Sequence, residues 1–481
     1  MKDPLIFDPD RYEVKTCTLD QMTITYRAFE NLSYCADPVD EIQKMNLFVP
    51  EAYYHGETIQ GYDLHSAPIF AYNTVGGYMP GAAGKPEKDF FDQRNGIFEA
   101  LRHGYVVASP GIRGRVSEKD GAYTGKAPAL IVDMKAAIRY LRHNQNVIPG
   151  DTKRIITNGT SAGGALSALT GASGNSADYL PYLKEIGAAE ERDDIFAACC
   201  FCPIHNLEHA DAAYEWTFCG HNTVSDLRYD FQDGLVTRMY TEDRPLTEKQ
   251  ICLSKQLKSE FITYVNSLSL RDDSGQILSL DENGEGSFKD YVLGYLAASA
   301  RKEYDMHHME KQNAHLMKLL PMDARVEKQN CIHIDEKGNL TLDWDSFLTS
   351  VMRAKPVPAF DALDLSTCEN NEYGSRDMKD RHFTQFSYER SEADGELAPE
   401  EIVKMMNPTR YIGQADTAPN WWIRHSTHDC AASYAIPVIL AAMLKNQGCN
   451  VNFEFPWGLP HCGDYGLDEM FAWIDELCSK Q

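Results

Sequence analysis

Short apolar runs alternate with helical periodicity through about the first 200 residues, and this rhythm restricts the possible fold more than any other feature. The run 105–109 has the length and composition of a buried strand, whereas Leu130, Met134 and Ile138 recur at helical spacing. Strands that alternate with helices predict an α/β fold with a mostly parallel sheet flanked by helices. The predicted strands are 22–29, 43–49, 68–72, 105–109, 154–157 and 195–201, and the predicted helices are 90–103 and 128–142.

The alternation stops near Pro203 and resumes near residue 420. The polar stretch between them contains a predicted helix at 291–311 and a predicted hairpin at 332–344 that turns at Lys337-Gly338. Strands at 421–424 and 451–455 and helices at 433–445 and 470–477 then restore the α/β pattern. We therefore predict one α/β core, residues 1–203 and 400–481, split by an inserted domain at 204–399.

The charge balance excludes two classes of partner. The chain has 46 Lys and Arg against 71 Asp and Glu, a formal net charge of −25, whereas nucleic acids and anionic membrane surfaces both attract clustered positive charge. The 13 cysteines are scattered, the first ten residues lack an apolar signal segment, and no run of about 18 apolar residues occurs. We expect a cytoplasmic protein that binds neither nucleic acid nor membrane.

The clearest chemical motif is Gly159-Thr160-Ser161-Ala162-Gly163-Gly164, which fits the G-x-S-x-G pattern. It lies between the predicted strand 154–157 and a helical stretch at 165–170, the context in which this pattern presents a nucleophilic serine. The alternative is a Gly/Ser loop that caps a helix. The flanking strand and helix favour Ser161 as a nucleophile.

A serine hydroxyl needs a base and an orienting acid, which follow it in the order acid then histidine in this arrangement. The two strands near the C-terminus run into suitable residues, Asp429 after 421–424 and His461 after 451–455. We therefore predict Asp429 and His461 as acid and base. His425 and His428 are competing bases, but they precede Asp429 and fit the expected order poorly.

Backbone N–H groups complete such a site by binding an oxyanion. One donor is expected directly after the nucleophile, at Ala162. The other is expected in the loop after the third strand, where Gly76-Gly77 follows the run 68–72. We predict Gly77, with Gly76 as the alternative; the competing interpretation of the pair is an ordinary glycine turn.

These motifs, together with three further segments, resemble the bacterial tannases and their feruloyl-esterase-like relatives. The further segments are Cys202-Pro203-Ile204 with 209–216, 353–361, and 45–53. The resemblance implies an α/β-hydrolase core with a large inserted lid, residues 204–399, and a serine esterase that acts on esters of hydroxylated aromatic acids. Ser161, Asp429 and His461 match the triad positions of that family.

The resemblance also implies how a phenolic ring is held. Lys355 and Glu369 match a lysine and a glutamate that bind ring hydroxyls, and Ile204 matches a residue that packs on the ring. From the residues alone, each charge would be assigned to a solvated face. A third carboxylate is normal two residues after the triad acid, but Ala431 stands there, and Cys368 replaces an apolar residue. We therefore expect an altered acyl pocket in which gallate is not the preferred group.

Other patterns indicate neither a metal nor a cofactor. Cys199-Cys200-Phe201-Cys202 contains C-x-x-C without a second ligand pair, and the loop starting at Asp281 has Val292 where a calcium loop needs Glu. No phosphate-binding glycine loop follows a strand. Cys430 and Cys462 follow the predicted acid and base, and a bond between their thiols under oxidising conditions is a further hypothesis.

The sequence thus predicts a serine carboxylic-ester hydrolase whose partner is a small phenolic ester. Alternatives are a feruloyl or hydroxycinnamoyl esterase, a general carboxylesterase, a serine peptidase and a non-catalytic binding protein on the same fold. The peptidase is disfavoured because a peptidase on this core usually carries a β-propeller of repeated blades, and no such repeat is visible in the sequence. The binding protein is disfavoured because Ser161, Asp429 and His461 are all present.

Overall fold

The computed structural model describes residues 4–89, 93–232, 235–309, 331–335 and 340–479. The chain divides into two compact units. The first unit comprises residues 1–205, 365–422 and 463–481, and the second unit comprises residues 206–364 and 423–462. That residues 204–399 form a lid stays a prediction.

The first unit is built on a sheet with the strand order β1-β2-β3-β5-β4-β8-β9-β14. The neighbours β5-β4, β4-β8 and β8-β9 pair in parallel, whereas β1-β2, β2-β3 and β3-β5 pair antiparallel. The strands of this unit are β1 (Glu13–Leu19), β2 (Met22–Ser33), β3 (Lys44–Pro50), β4 (Pro68–Tyr72), β5 (Val106–Pro110), the short pair β6 (Glu118–Lys119) and β7 (Ala122–Tyr123), β8 (Asp151–Thr160), β9 (Ala197–Phe201) and most of β14 (Asn420–Arg424).

Helices cover this sheet because their apolar faces match the apolar strands. Every residue of β5 and β9 is buried, as are Leu130, Met134 and Ile138 of α2. The helices of the first unit are α1 (Gly96–Arg102), α2 (Ala129–His143), α3 (Ala162–Ala172), α4 (Leu180–Glu185), α9 (Cys368–Glu372), α10 (Gln385–Tyr388), α11 (Glu400–Met405) and α13 (Leu467–Ser479). This is the predicted α/β-hydrolase architecture.

The second unit contains the remaining elements, which include β15 beside the last residues of β14. There His425 N donates to Glu454 O at 3.3 Å. The elements are α5 (Leu207–Phe218), β10 (Thr223–Gln232), β11 (Leu235–Pro245), α6 (Glu248–Leu268), α7 (Ser287–Met309), β12 (Ile332–Ile334), β13 (Leu340–Leu342), α8 (Trp344–Val351), α12 (Ala435–Asn446) and β15 (Asn450–Glu454).

Most predicted elements form, with two differences. The predicted helix 90–103 begins only at Gly96, because the side chain of Asn95 accepts from Phe98 N and caps the helix there; residues 90–92 lie outside the described part. The strands of the predicted hairpin 332–344 form as β12 and β13, whereas its turn at Lys337-Gly338 and the end of helix 291–311 lie outside the described residues. Sequence analysis did not predict β1, the short pair β6–β7, the hairpin β10–β11, or the helices α4, α5, α6, α8, α9, α10 and α11.

Among the described residues, no helix combines the length and the apolar character needed to cross a membrane.

A buried ion cluster ties α2 to the segment before β9. The Asp193 carboxylate accepts from Lys135 Nζ at 2.7 Å and from Arg139 Nε at 2.7 Å, and the side chains of Lys135 and Asp193 are fully buried. Burial opposes the ionised form of Asp193, but the two cations outweigh it, so its pKa lies below the ordinary value. Removing one member would leave buried charge without compensation.

Asp193→Asn should therefore lower the free energy of unfolding by about 3–5 kcal/mol at pH 7 in denaturant titrations. Because the folded pKa is depressed, the stabilisation is present above the unfolded pKa of about 3.9 and is lost as pH falls through the folded value. The parent should thus lose more stability than the variant on acidification. Asp468→Asn, at a carboxylate that is 83 % exposed, is the control. Equal stability of the Asp193 variant and the parent at pH 7 would contradict this account.

Candidate active site

Ser161 occupies the sharp turn between β8 and α3. Its backbone has φ 61° and ψ −123°, a conformation that residues with a Cβ rarely adopt. Such strain persists only where the surroundings enforce it, and it concentrates at functional sites. The predicted strand-to-helix turn at Ser161 is therefore present in the first unit, with Thr160 as the last residue of β8 and Ala162 as the first residue of α3.

The glycines of the motif are there because no side chain fits. A Cβ at Gly159 would lie 2.3 Å from Asn73 Nδ2, and one at Gly163 would lie 2.5 Å from Asn73 Oδ1. A Cβ at Gly164 would lie 2.5 Å from the carbonyl oxygen of Phe201. Three close approaches thus hold the turn that strains Ser161.

Asn73, directly after β4, joins this turn to the predicted oxyanion loop. Its Nδ2 donates to Asn158 O at 2.9 Å and to Gly163 O at 3.1 Å, and its Oδ1 accepts from Val75 N at 3.2 Å. The loop that contains Gly77 is therefore held beside the end of β8.

Arg115 fixes the other side of the same loop. Its Nε donates to Gly77 O at 2.9 Å, and its backbone N donates to Tyr78 O at 2.8 Å. The N–H of Ala162 has no intrahelical partner because it is the first in α3. The first unit thus contains both predicted oxyanion donors. Gly77 lies on the loop that Arg115 holds, and Ala162 lies at the strand-to-helix turn between β8 and α3, called the elbow below.

Ile204 is the predicted ring-packing residue, and it adjoins the elbow. Its N donates to Ser161 O at 3.2 Å, while its own carbonyl accepts from the Tyr78 hydroxyl at 2.7 Å. Ile204 therefore bridges the elbow and the loop that contains Gly77.

Glu369 lies in the first turn of α9, also in the first unit. Its side chain is almost fully buried, and Cys368 Sγ lies 3.1 Å from its Oε2. The sulfur thus occupies a hydrogen-bonding position that the apolar residue expected at 368 would leave open.

Asp429 and His461 are paired in the second unit. His461 Nδ1 lies 2.7 Å from Asp429 Oδ2, and Ala431 N donates to Asp429 Oδ1 at 2.8 Å. Burial alone would raise the pKa of Asp429, but the imidazoles of His461 and His425 outweigh it and lower the pKa well below the ordinary value. The predicted acid is therefore ionised at neutral pH and oriented towards the predicted base, which is partly exposed.

Lys355 is also in the second unit, on a segment that buried side chains hold. Arg353 Nε donates to Lys355 O at 2.9 Å, and Arg353 is in turn paired with Glu215. The Tyr214 hydroxyl accepts from Lys355 N at 3.1 Å and donates to Cys430 O at 3.0 Å. Lys355 therefore belongs to the segment that is tied to the residue following Asp429.

The segment after His461 returns to the first unit and is anchored there. A Cβ at Gly463 would lie 1.7 Å from Thr160 Oγ1. Asp464 Oδ2 accepts from the Tyr72 hydroxyl at 2.5 Å and from Gly96 N at 3.1 Å. The chain two and three residues beyond His461 is thus fixed at the ends of β4 and β8.

The competing histidines do not make the contact that a triad base needs. His425 Nδ1 lies 3.6 Å from Asp429 Oδ2, farther than His461. His428 is buried beside Thr427, and burial lowers its pKa to about 4. The cysteines of the described residues, Cys430 and Cys462 included, form no disulfide, and the C-x-x-C motif begins on the buried strand β9 and ends directly after it, at Cys202.

Sequence analysis missed two residues of this region. Asn73 could have been found, as a polar side chain that ends a buried strand immediately before a glycine pair. Arg115 gave no local signal, because its role depends on a loop 38 residues away.

Known proteins resemble this chain in both architecture and sequence. A family model described as BD-FAE matches residues 76–223, which contain both the Gly77 loop and the Ser161 elbow. A tannase from Lactobacillus plantarum is 44 % identical over 98 % of this chain and 100 % of its own, with a TM-score of 0.91. The chain belongs to the tannase family.

Other solved tannases are similar to a comparable extent. The Fusobacterium nucleatum tannase is 44 % identical over 98 % of this chain and 99 % of its own, with a TM-score of 0.89. A tannin acyl hydrolase in complex with ethyl gallate is 44 % identical over 99 % of both chains, with a TM-score of 0.90. No match was found among curated proteins. As a member of the tannase family, the chain is a carboxylic ester hydrolase.

Proposed function

We propose that this chain hydrolyses esters of hydroxylated aromatic acids through an acyl-enzyme on Ser161, with His461 as general base and Asp429 as its orienting acid. The observation that carries the proposal is the strained backbone of Ser161 at the strand-to-helix turn. The short His461–Asp429 contact and the membership of the tannase family support it.

The chemistry follows from these groups in two steps. In the first, Ser161 Oγ attacks the ester carbonyl while His461 takes its proton, and the imidazolium is stabilised by Asp429. The N–H groups of Ala162 and Gly77 stabilise the oxyanion. The alcohol leaves with the proton from His461, and in the second step water, deprotonated by His461, releases the acid and restores Ser161.

The ring of the acyl group is assigned to Lys355, Glu369 and Ile204. An ammonium and a carboxylate can bind phenolic hydroxyls by charge-assisted hydrogen bonds. Two similar structures of tannin acyl hydrolase are complexes, one with ethyl gallate and one with 3,4-dihydroxybenzoate. Because residue 431 is alanine, it offers no carboxylate to accept a hydrogen bond from a further ring hydroxyl, and such a charge-assisted hydrogen bond is worth about 1.5–3 kcal/mol. We therefore propose that acids with fewer ring hydroxyls than gallate are preferred.

The second candidate is feruloyl or hydroxycinnamoyl ester hydrolysis. The BD-FAE family model, which describes a feruloyl-esterase-like α/β-hydrolase domain and matches residues 76–223, favours this second candidate. It uses the same Ser161, His461 and Asp429 and differs only in the acyl group, so substrate comparison separates the two.

Ser161→Ala should lower kcat/KM on a phenolic ester by about four orders of magnitude or more, because the nucleophile is lost while the fold is kept. An organophosphonate should label Ser161 in the parent, as located by mass spectrometry of peptides. Ser259→Ala, an exposed serine of α6, is the matched control and should retain parent activity and labelling. Near-parent turnover by Ser161→Ala would refute the assignment.

A panel of methyl esters tests the acyl group in the parent and in Ala431→Asp. In the parent, a phenolic ester among gallate, protocatechuate, 4-hydroxybenzoate and ferulate should have a higher kcat/KM than a plain aliphatic ester. The added carboxylate should raise the gallate to 4-hydroxybenzoate ratio of kcat/KM by about tenfold or more, since it restores a charge-assisted acceptor.

Ala431→Asn has the size of the aspartate without its charge and should change that ratio much less. The backbone N–H from residue 431 to Asp429 is retained in both variants. An aliphatic ester that exceeds every phenolic ester by about tenfold, well over 1 kcal/mol in transition-state binding, would refute the roles of Lys355 and Glu369.

A further inference from the structure

Two imidazoles converge on one oxygen of Asp429. Oδ2 of this carboxylate lies 2.7 Å from His461 Nδ1 and 3.6 Å from His425 Nδ1. Its other oxygen, Oδ1, accepts from Ala431 N at 2.8 Å. His425 therefore lies at the one carboxylate oxygen that also orients the proposed base.

The surroundings of His425 would suit an apolar ring better than a histidine. The side chain is fully buried, and its ring makes edge contacts with Tyr434 and Phe455 at centroid distances of 5.8 Å each. Neither ring nitrogen has a hydrogen-bond partner within the described part of the protein. Buried polar groups without partners destabilise a fold, so packing alone does not account for a histidine here.

We propose that His425 is a positioning residue, whose Nδ1–H holds the Asp429 carboxylate in the orientation that keeps His461 aimed for proton transfer. This inference rests on the proposed function. With its proton on Nδ1, the ring directs an N–H dipole at Oδ2, and an approach about 0.6 Å closer would make this a hydrogen bond.

A neutral group suits this role better than a second cation would. Burial lowers the pKa of His425, so the ring is uncharged at neutral pH. A second positive charge beside Asp429 would disfavour the imidazolium that His461 must become, whereas an N–H dipole restrains the carboxylate without competing for that charge. His425 thus acts through Asp429 and does not touch the reacting atoms.

A substitution of His425 should affect stability and catalysis in opposite directions, and this difference tests the proposal. His425→Phe keeps an aromatic ring against Tyr434 and Phe455 but removes both buried nitrogens, so its melting temperature should equal or exceed that of the parent. Its kcat on a phenolic methyl ester should nevertheless fall by about tenfold to a hundredfold, with KM within about twofold, because only proton transfer is affected.

A pair of variants of similar shape separates the N–H group from the volume. Gln can donate a hydrogen bond to Asp429 and Met cannot, so His425→Gln should retain at least about tenfold more kcat than His425→Met. The Gln and Met variants also test the role of His425 if the Phe variant does not fold. His221→Phe, at a histidine of the second unit that is only partly buried, should leave kcat unchanged.

The outcomes distinguish this inference from the function on which it rests. A parent that hydrolyses no ester and is not labelled at Ser161 overturns both. An active parent, with a His425→Phe variant whose kcat lies within about twofold of it, overturns only the role of His425. Equal kcat for the Gln and Met variants does the same.

Discussion

The backbone of Ser161 is the constraint on which the rest of the proposed site depends. A residue with a side chain is held at φ 61° because Gly159, Gly163 and Gly164 let Asn73 and the carbonyl of Phe201 approach more closely than any Cβ permits. Asn73 and Arg115 then fix the Gly77 loop beside the same turn. The strain at one residue is thus maintained by close packing and by hydrogen bonds that also place the two proposed oxyanion donors.

Two buried carboxylates, Asp193 and Asp429, differ in the side chains that surround them. Asp193 is enclosed by the side chains of Lys135 and Arg139 and so serves to join elements. Asp429 is equally buried, but its partners are the imidazoles of His461 and His425. A carboxylate beside titratable rings keeps its charge available to stabilise an imidazolium that forms during the reaction. Similar burial thus serves stability at Asp193 and, under the proposed mechanism, chemistry at Asp429.

The parts of the fold and site that could be predicted from sequence are those that local physics determines. The elbow follows from glycine spacing between a strand and a helix, and the Asp429–His461 pair follows from two strands that end side by side. Arg115 was missed because its contact with the Gly77 loop depends on tertiary packing that leaves no periodic signal, and His425 was considered only as a competing base. The start of α1 was predicted too early because the helical spacing of apolar residues before Asn95 concealed the cap at that residue. Helices α5 and α6 were missed because they lie in a stretch that was described only as polar.

The central claim is that Ser161 and His461 act as one catalytic unit, and a double-mutant cycle tests it most directly. kcat/KM on one phenolic methyl ester should be measured for the parent, Ser161→Ala, His461→Ala and the double variant. Groups that share one proton transfer are strongly non-additive, so the double variant should fall within about threefold of the slower single variant. A double variant whose loss equals the product of the two single losses would show that the residues act independently and would contradict the account.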